Sequence, residues 1–267
     1  MAVQIMQLID TSKCIGCKAC QIACQQWHQL PAEDTQFTGS YTNPPDRSGA
    51  NHNVVKFFEY GNNGDLRFLF FADRCRHCHP PYCKEACPLG AIKVTANGLV
   101  VIHHGICDTT HCNKECELAC PYKTGFPPKG VIRFEYTKDG VVHEAKGTLG
   151  QPVGMKCDFC YDRFKNPKLQ GAYDPPDPQD GGRYKGAFGR PSGDSPFSHR
   201  PACELACPTG AIRTHQVSTV RTYATNRMNF LKANGYPNAN IYPPLEIESH
   251  MIWLLLEQPS AYDLTGW

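Results

Sequence analysis

Cys14-Ile-Gly-Cys-Lys-Ala-Cys-Gln-Ile-Ala-Cys24 places four cysteines at the spacing C-x2-C-x2-C-x3-C. Two intervening residues allow the chain to curl around one corner of an inorganic cluster and to direct backbone N–H groups at its sulfur atoms. At this spacing three cysteines wrap one iron–sulfur cubane, and the fourth serves a neighbouring cluster. We therefore expect this segment to contribute to two adjacent cluster sites.

The chain has 16 cysteines in 267 residues, and those outside this first group form three more groups of four. The second group is Cys75, Cys78, Cys83 and Cys87, the third is Cys107, Cys112, Cys116 and Cys120, and the fourth is split into Cys157 with Cys160 and Cys203 with Cys207. Proline follows the last cysteine of all three groups, as it does in the cluster-binding pattern, at Pro88, Pro121 and Pro208.

An internal repeat and a predicted hairpin pair the groups. The segment Pro81–Ile92 matches Pro201–Ile212 at eight of twelve positions, which indicates duplicated structural units. Between the second and third groups, two β-rich stretches flank Asn97-Gly98, a turn sequence typical of a hairpin. This resembles the hairpin between the two cysteine runs of a bacterial two-cluster ferredoxin. The second and third groups would then form one module, and the first and fourth another.

Crossed ligation, in which the last cysteine of each group serves the partner group's cluster, assigns every cysteine once. The first set is Cys14, Cys17, Cys20 and Cys207; the second set is Cys24, Cys157, Cys160 and Cys203; the third set is Cys75, Cys78, Cys83 and Cys120; and the fourth set is Cys87, Cys107, Cys112 and Cys116. The sequence thus predicts four [4Fe-4S] clusters as cofactors.

The predicted fold class is α+β, with two nested bacterial two-cluster ferredoxin-like modules, long loop insertions and a C-terminal extension. The outer module comprises residues 1–74 and 121–217, and it contains a Gly- and Pro-rich insertion at 166–200 that we expect to contact a partner. The inner module is 75–120, and residues 218–267 form the extension. Three elements are predicted from periodicity, namely a strand at 53–60, a helix at 218–234 and a strand at 252–256.

Two other uses of cysteine are weaker explanations. Structural zinc also uses C-x2-C pairs, but zinc sites rarely place four cysteines in so short a run or cross between motifs. A disulfide scaffold is usually a short secreted chain, and Met1–Leu8 does not have the pattern of a signal peptide.

The third group departs from the usual spacing, because it reads C-x4-C-x3-C-x3-C. A longer loop can still reach a cubane, although a three-iron cluster results if one cysteine does not ligate. Ligation by a nearby histidine is the less favoured alternative, the candidates being His77, His79 and His111. Cations beside the cysteines either offset cluster charge or are solvated, the candidates being Lys13, Lys18, Arg74, Arg76, Lys84 and Lys156.

Charge balance, the length of the apolar runs and the sequence motifs argue against several classes of function. With 27 basic and 25 acidic residues, the chain has no bulk charge that favours nucleic acid. The longest apolar run near the C-terminus, Met251–Leu256, is far shorter than the roughly 20 residues of a membrane helix. The sequence contains no nucleophile–base arrangement, phosphate loop or dinucleotide motif. We therefore expect a non-catalytic electron-transfer subunit.

Two segments outside the cysteine groups, Gln26–Glu33 and Leu231–Tyr242, resemble those of formate dehydrogenase beta subunits in the molybdopterin oxidoreductase superfamily. The resemblance implies that formate is oxidised at a molybdenum or tungsten bis-pterin on a separate catalytic subunit. This chain would relay electrons to a membrane cytochrome or another acceptor subunit. The alternative is the same relay in a polysulfide, thiosulfate, dimethyl sulfoxide or arsenate enzyme.

The resemblance also bears on location. Longer beta subunits continue into a C-terminal membrane helix, whereas this sequence ends at Trp267. We expect a peripheral subunit that reaches the periplasm by export together with its catalytic partner, with a cytoplasmic location as the alternative.

Overall fold

A computed structural model describes residues 4–264, except 62, 63, 65, 126 and 165–199. Within these residues the chain has a mixed helix and strand content, in agreement with the predicted α+β class. The strands are β1 (Ile5–Asp10), β2 (Val54–Tyr60), β3 (Arg67–Asp73), β4 (Ile92–Val94), β5 (Val100–Ile102), β6 (Glu135–Lys138), β7 (Val141–Glu144), β8 (Ile212–Gln216), β9 (Asn240–Tyr242) and β10 (Met251–Leu255). The α-helices are α1 (Ala19–Trp27), α2 (Tyr82–Glu85), α3 (Glu115–Leu118), α4 (Ala202–Leu205) and α5 (Val217–Ala233).

The largest sheet has four strands in the order β8-β1-β10-β9. Strand β1 pairs antiparallel with β8 and parallel with β10, so both of its edges are occupied. Ile5 and Ile9 face the core that contains buried cysteines, whereas Met6 and Leu8 face the opposite side. This alternation follows from the two-residue period of a strand. The sheet therefore separates the cysteine-rich core from the helix that covers its other face.

Helix α5 covers that second face and confirms the helix predicted at 218–234, with each end shifted by one residue. Val220, Ala224 and Leu231 are buried against the sheet, at spacings that bring them to one helical face. The predicted terminal strand is confirmed as β10. Among the described residues, no helix is both long and apolar enough to cross a membrane.

Three two-stranded antiparallel hairpins accompany this sheet, namely β2–β3, β4–β5 and β6–β7. The first confirms the strand predicted at 53–60 and adds β3 as its partner. The second confirms the hairpin predicted around Asn97-Gly98. Gly98 has φ +87°, and an added Cβ would lie 2.1 Å from the His250 ring, so this turn accepts only glycine. The predicted insertion at 166–200 lies, apart from Arg200, outside the described residues.

The side chain of Trp253 joins the four-stranded sheet to the β2–β3 hairpin. Its fully buried ring stacks on Phe71 with 4.9 Å between centroids, and its Nε1 donates to the carbonyl oxygen of Ala72 at 3.1 Å. The guanidinium of Arg76 lies over the Trp253 ring, 4.9 Å from the ring centroid. Trp253 therefore contributes apolar burial, a hydrogen bond and a cation–π contact at one position.

We expect Trp253→Ala to lower the free energy of unfolding by about 3–5 kcal/mol, because it leaves a large cavity and an unpaired carbonyl. Anaerobic denaturant unfolding, followed by far-UV circular dichroism, measures this change. Phe230→Ala is the matched control, since that ring is 54% exposed on α5 and should change stability by less than about 0.5 kcal/mol. Equal effects of the two substitutions would contradict the assigned role of Trp253.

Candidate metal centres

All 16 cysteines are free thiols, and most lie on or beside short helices. Cys20 and Cys24 are on α1, which packs against α4, where Cys203 lies. Cys83 is on α2, which packs against α3, where Cys116 lies. The first cysteine group is therefore adjacent to the fourth, and the second to the third, as the sequence predicts.

Electrostatic contacts between thiols show which cysteines lie together. In the second set, burial is the largest cause of the raised pKa of Cys24, and the charges of Cys157, Cys160 and Cys203 add to it. In each of the other three sets, one thiol interacts electrostatically with all three of the others. These contacts are Cys14 with Cys17, Cys20 and Cys207; Cys78 with Cys75, Cys83 and Cys120; and Cys116 with Cys87, Cys107 and Cys112.

The structure thus brings together the cysteines of each predicted set, whereas their ligation of metal stays a prediction. Burial raises the pKa of Cys20, Cys83, Cys116 and Cys157 to about 12, so these thiols carry protons at neutral pH unless a cation displaces them. What suits these sites to an iron–sulfur cluster is the grouping of four thiols, because such a cluster is held by cysteine thiolates and metal binding deprotonates a coordinating thiol.

Backbone geometry around the thiols also suits a cluster. In three groups the residue before the second cysteine has a positive φ, which turns the chain sharply between the two ligands: Gly16 (66°), His77 (49°) and Phe159 (67°). Separately, backbone N–H groups of other segments point at sulfur, for example from Val131 to Cys120 Sγ at 3.4 Å and from Ala202 to Cys160 Sγ at 3.5 Å. Such N–H···S contacts are among the features that tune cluster potential.

The longer loop of the third group folds into a 3-10 turn at Thr109–His111. Asp108 caps this turn, since its Oδ1 accepts from the backbone N–H of Thr110 at 3.0 Å and from the Thr110 hydroxyl at 2.7 Å. The extra residues are therefore taken up locally, and Cys107 and Cys112 still lie beside Cys116.

The histidines near the cysteines have other contacts. Nδ1 of buried His77 accepts from the backbone N–H of Val100 at 3.0 Å, which attaches the second group to the β4–β5 hairpin. His79 is exposed and lies 3.9 Å from Glu248, and His111 is exposed beside Asp108. Sequence reasoning overlooked His28, whose Nε2 lies 3.2 Å from Asp158 Oδ1 and 3.8 Å from Cys160 Sγ.

The cations that flank the cysteines divide into two classes that the sequence did not separate. Lys84 is exposed, and Lys13 and Lys18 are half-buried. In contrast, the buried class has almost no solvent contact and consists of Arg74, Arg76 and Lys156. The charged segment Asp73-Arg74-Cys75-Arg76 directly follows the apolar run Phe68–Ala72, and this abrupt change was the available signal for a buried charge network.

Asp73 is the centre of that network. Its carboxylate accepts from Arg76 Nη1 at 2.5 Å and Arg47 Nη1 at 3.2 Å, and it lies 3.2 Å from Lys56 Nζ. Burial alone would raise the pKa of Asp73, but the charges of Arg47, Arg76 and Lys56 hold it far below its usual range. The carboxylate is therefore ionised and compensates cations beside the second cysteine group.

Comparison with known proteins identifies two matching family models. Both are described as 4Fe-4S dicluster domains, and they match residues 66–132 and 13–91. This confirms the prediction of ferredoxin-type iron–sulfur domains.

Several curated proteins are similar along nearly the whole chain. The iron–sulfur subunit of the nitrate-inducible formate dehydrogenase of Escherichia coli (strain K12) is 31% identical, over 97% of this chain and 71% of that protein. The formate dehydrogenase subunit beta of Megalodesulfovibrio gigas is 29% identical, over 95% and 94% of the two chains. The formate dehydrogenase 2 subunit beta (cytochrome c-553) of Nitratidesulfovibrio vulgaris is 27% identical, over 96% and 94%.

We expect Asp73→Asn to destabilise the fold by about 3–5 kcal/mol, because it leaves Arg47 and Arg76 buried without their counter-charge. Anaerobic denaturant unfolding at pH 7 measures the loss. Glu59→Gln is the matched control, as it removes an exposed carboxylate from the same hairpin and should have little effect. An Asp73→Asn protein as stable as the control would show that the network contributes no net stability.

Proposed function

Because the chain belongs to the family of formate dehydrogenase iron–sulfur subunits, we propose that it relays single electrons through four [4Fe-4S] clusters. The electrons come from a molybdopterin catalytic subunit that oxidises formate at molybdenum or tungsten, and they pass to a downstream acceptor. The observation that carries this proposal is the gathering of 16 cysteines into four sets of four thiols. This chain itself needs no catalytic group for that role.

The contacts between sets favour one linear order of clusters. Cys20 of the first set acts on Cys203 of the second, Cys157 of the second on Cys75 of the third, and Cys116 of the fourth on Cys83 of the third. These contacts join each set to the next in turn. Electrons would therefore pass from the first set to the fourth through the second and third, or in the reverse direction.

Exposure agrees with this order. All four thiols of the second set are buried, and two of the third set are buried. The terminal sets are more accessible, with Cys17 of the first set exposed and every thiol of the fourth set partly exposed. A relay requires accessible ends for exchange with partners and a shielded interior, and this distribution supports assigning the first and fourth sets as the two ends.

The nested modules proposed from the sequence receive support from strand pairing. In the inner module, β4 follows the second cysteine group and pairs antiparallel with β5, which precedes the third. In the outer module, β8 follows the fourth group and pairs antiparallel with β1, which precedes the first. The two copies of the internal repeat, Pro81–Ile92 and Pro201–Ile212, end at the first residues of β4 and β8. The fourth cysteine group therefore corresponds to the second, and the first group to the third.

We further propose that the acceptor is a cytochrome, in a complex peripheral to the membrane. The name of the Nitratidesulfovibrio vulgaris relative supports a cytochrome for that protein's complex. Export to the periplasm together with the catalytic subunit is the location we favour, and immunodetection after cell fractionation distinguishes it from the cytoplasmic alternative.

Anaerobic co-purification tests the proposed function. We expect a molybdopterin subunit to accompany this chain. This chain should contribute about four iron atoms and four sulfides for each of its four clusters. The complex should reduce a dye with formate as electron donor. Abundant zinc without sulfide would refute the relay, whereas turnover of a sulfur compound or arsenate without formate activity would keep the relay and refute the formate assignment.

Replacing one ligand tests the linear order. Cys203→Ser should remove about four iron atoms and most electron transfer to the acceptor, because it removes an interior cluster, while formate oxidation at the partner's pterin persists with a direct oxidant. Leu205→Ala, an exposed residue on the same helix, is the control that should retain all clusters. Unchanged transfer to the acceptor in the cluster-deficient protein would show that the clusters do not act in series.

A further inference from the structure

Arg74 lies between the first and second sets. It follows the end of β3, only 1% of its surface is exposed, and its Nη1 donates to Cys203 Sγ at 2.9 Å. Its charge also acts on Cys20 of the first set and Cys157 of the second. One buried guanidinium is thus close to thiols of two different sets.

The charge of Arg74 has no carboxylate partner within the described part of the chain. Arg47 and Arg76 are equally buried, but both form ion pairs with Asp73. The Nε and Nη2 atoms of Arg74 are buried, and among the described residues they have no hydrogen-bond partner. A buried cation without an anion costs several kcal/mol, so the position of Arg74 requires negative charge on the sulfur side.

The thiols supply that negative charge once they bind metal. Arg74 Nη1 lies 2.9 Å from Cys203 Sγ, so a thiolate at Cys203 places its negative charge directly beside the buried guanidinium. The guanidinium and the ligand sulfurs therefore stabilise each other's charged forms.

We propose that Arg74 raises the reduction potentials of the clusters held by the first and second sets, and thereby keeps the buried second cluster reducible within the relay. The inference rests on the proposed function. Reduction adds one electron and therefore one negative charge to a cluster and its thiolates; no bond forms or breaks, and no proton is required. A nearby cation and an N–H···S hydrogen bond both favour the reduced form.

Burial makes this compensation necessary at the second set. With all four of its thiols buried, water contributes little to the solvation of added negative charge, and the reduced form is disfavoured. Charges interact more strongly in such an environment than in water. Arg74 replaces the missing solvation at the interior position where a cluster of very low potential would interrupt electron flow.

The test is an EPR-monitored redox titration of the anaerobic complex with Arg74→Met, which removes the charge and the donor while retaining an unbranched side chain. We expect two of the four midpoint potentials to become more negative. The one-electron equilibrium constant should change by at least about tenfold, which corresponds to about 59 mV. Iron and sulfide are measured first, so a failure of the four-cluster proposal is distinguished from a failure of this one.

Two further variants complete the design. Arg74→Lys keeps the charge and should shift both potentials by less than about 59 mV. Lys13→Met removes a cation directly before Cys14, but that lysine is half-buried and lies 4.0 Å from Asp10, so its effect should be smaller still. If Arg74→Met does not assemble four clusters, the potentials of the Arg74→Lys complex test the proposal instead.

Three outcomes would overturn the proposal. The first is a fully loaded Arg74→Met complex with unchanged potentials, and the second is an equal shift of all four potentials. The third is a fully loaded Arg74→Lys complex whose two potentials fall by at least about 59 mV although the charge is retained.

Discussion

The packing of the cysteine thiols into four sets is the constraint on which the rest of this structure depends. The helices that carry Cys83, Cys116 and Cys203 have four residues each, far fewer than an isolated helix needs in water. The hairpins between them are equally short. Such elements gain stability from what they pack against, and here they pack around cysteine thiols that lie together in sets of four. The clusters would therefore act as the interior of the cysteine-rich region, while the four-stranded sheet and α5 form a conventional apolar core beside it.

Placing negative clusters in a protein interior requires opposite charge at defined positions, and the chain supplies it in two ways. Around Asp73, cations and a carboxylate balance each other, and Arg76 also lies 4.8 Å from the centroid of the Tyr122 ring. Around Arg74 there is no such balance, so its charge is directed to the sulfur ligands. Two arginines separated by one cysteine in sequence thus differ in role, the first compensating clusters and the second compensating a carboxylate and bonding the core.

Cysteine spacing and the internal repeat were sufficient to predict which cysteines lie together, because three of the four groups are local runs and the intervening hairpin has a recognisable Asn97-Gly98 turn. Helix α5 and strand β10 were predictable for the same reason, since a periodic apolar pattern depends on neighbours in sequence. Strand β3 and the parallel pairing of β1 with β10 were not predicted, because they depend on contacts between distant segments. The burial of Arg74 and the exposure of Lys84 could not be separated either, as both are simply basic residues beside a cysteine.

The proposed insertion of one module within the other would explain why Arg74 can reach the outer sets. Strand β3 belongs to the segment between the first and second cysteine groups, so it leads the chain directly from the outer module into the inner one. Arg74 is the last residue before Cys75, and it therefore remains beside Cys203 and Cys20 while the next residue already belongs to the third set. The same step along the backbone brings Cys75 close enough to Cys157 for the two thiols to interact electrostatically. A tandem arrangement of two ferredoxin-like units would separate these positions by a linker, whereas the proposed nesting puts the cation and the junction between modules at adjacent residues.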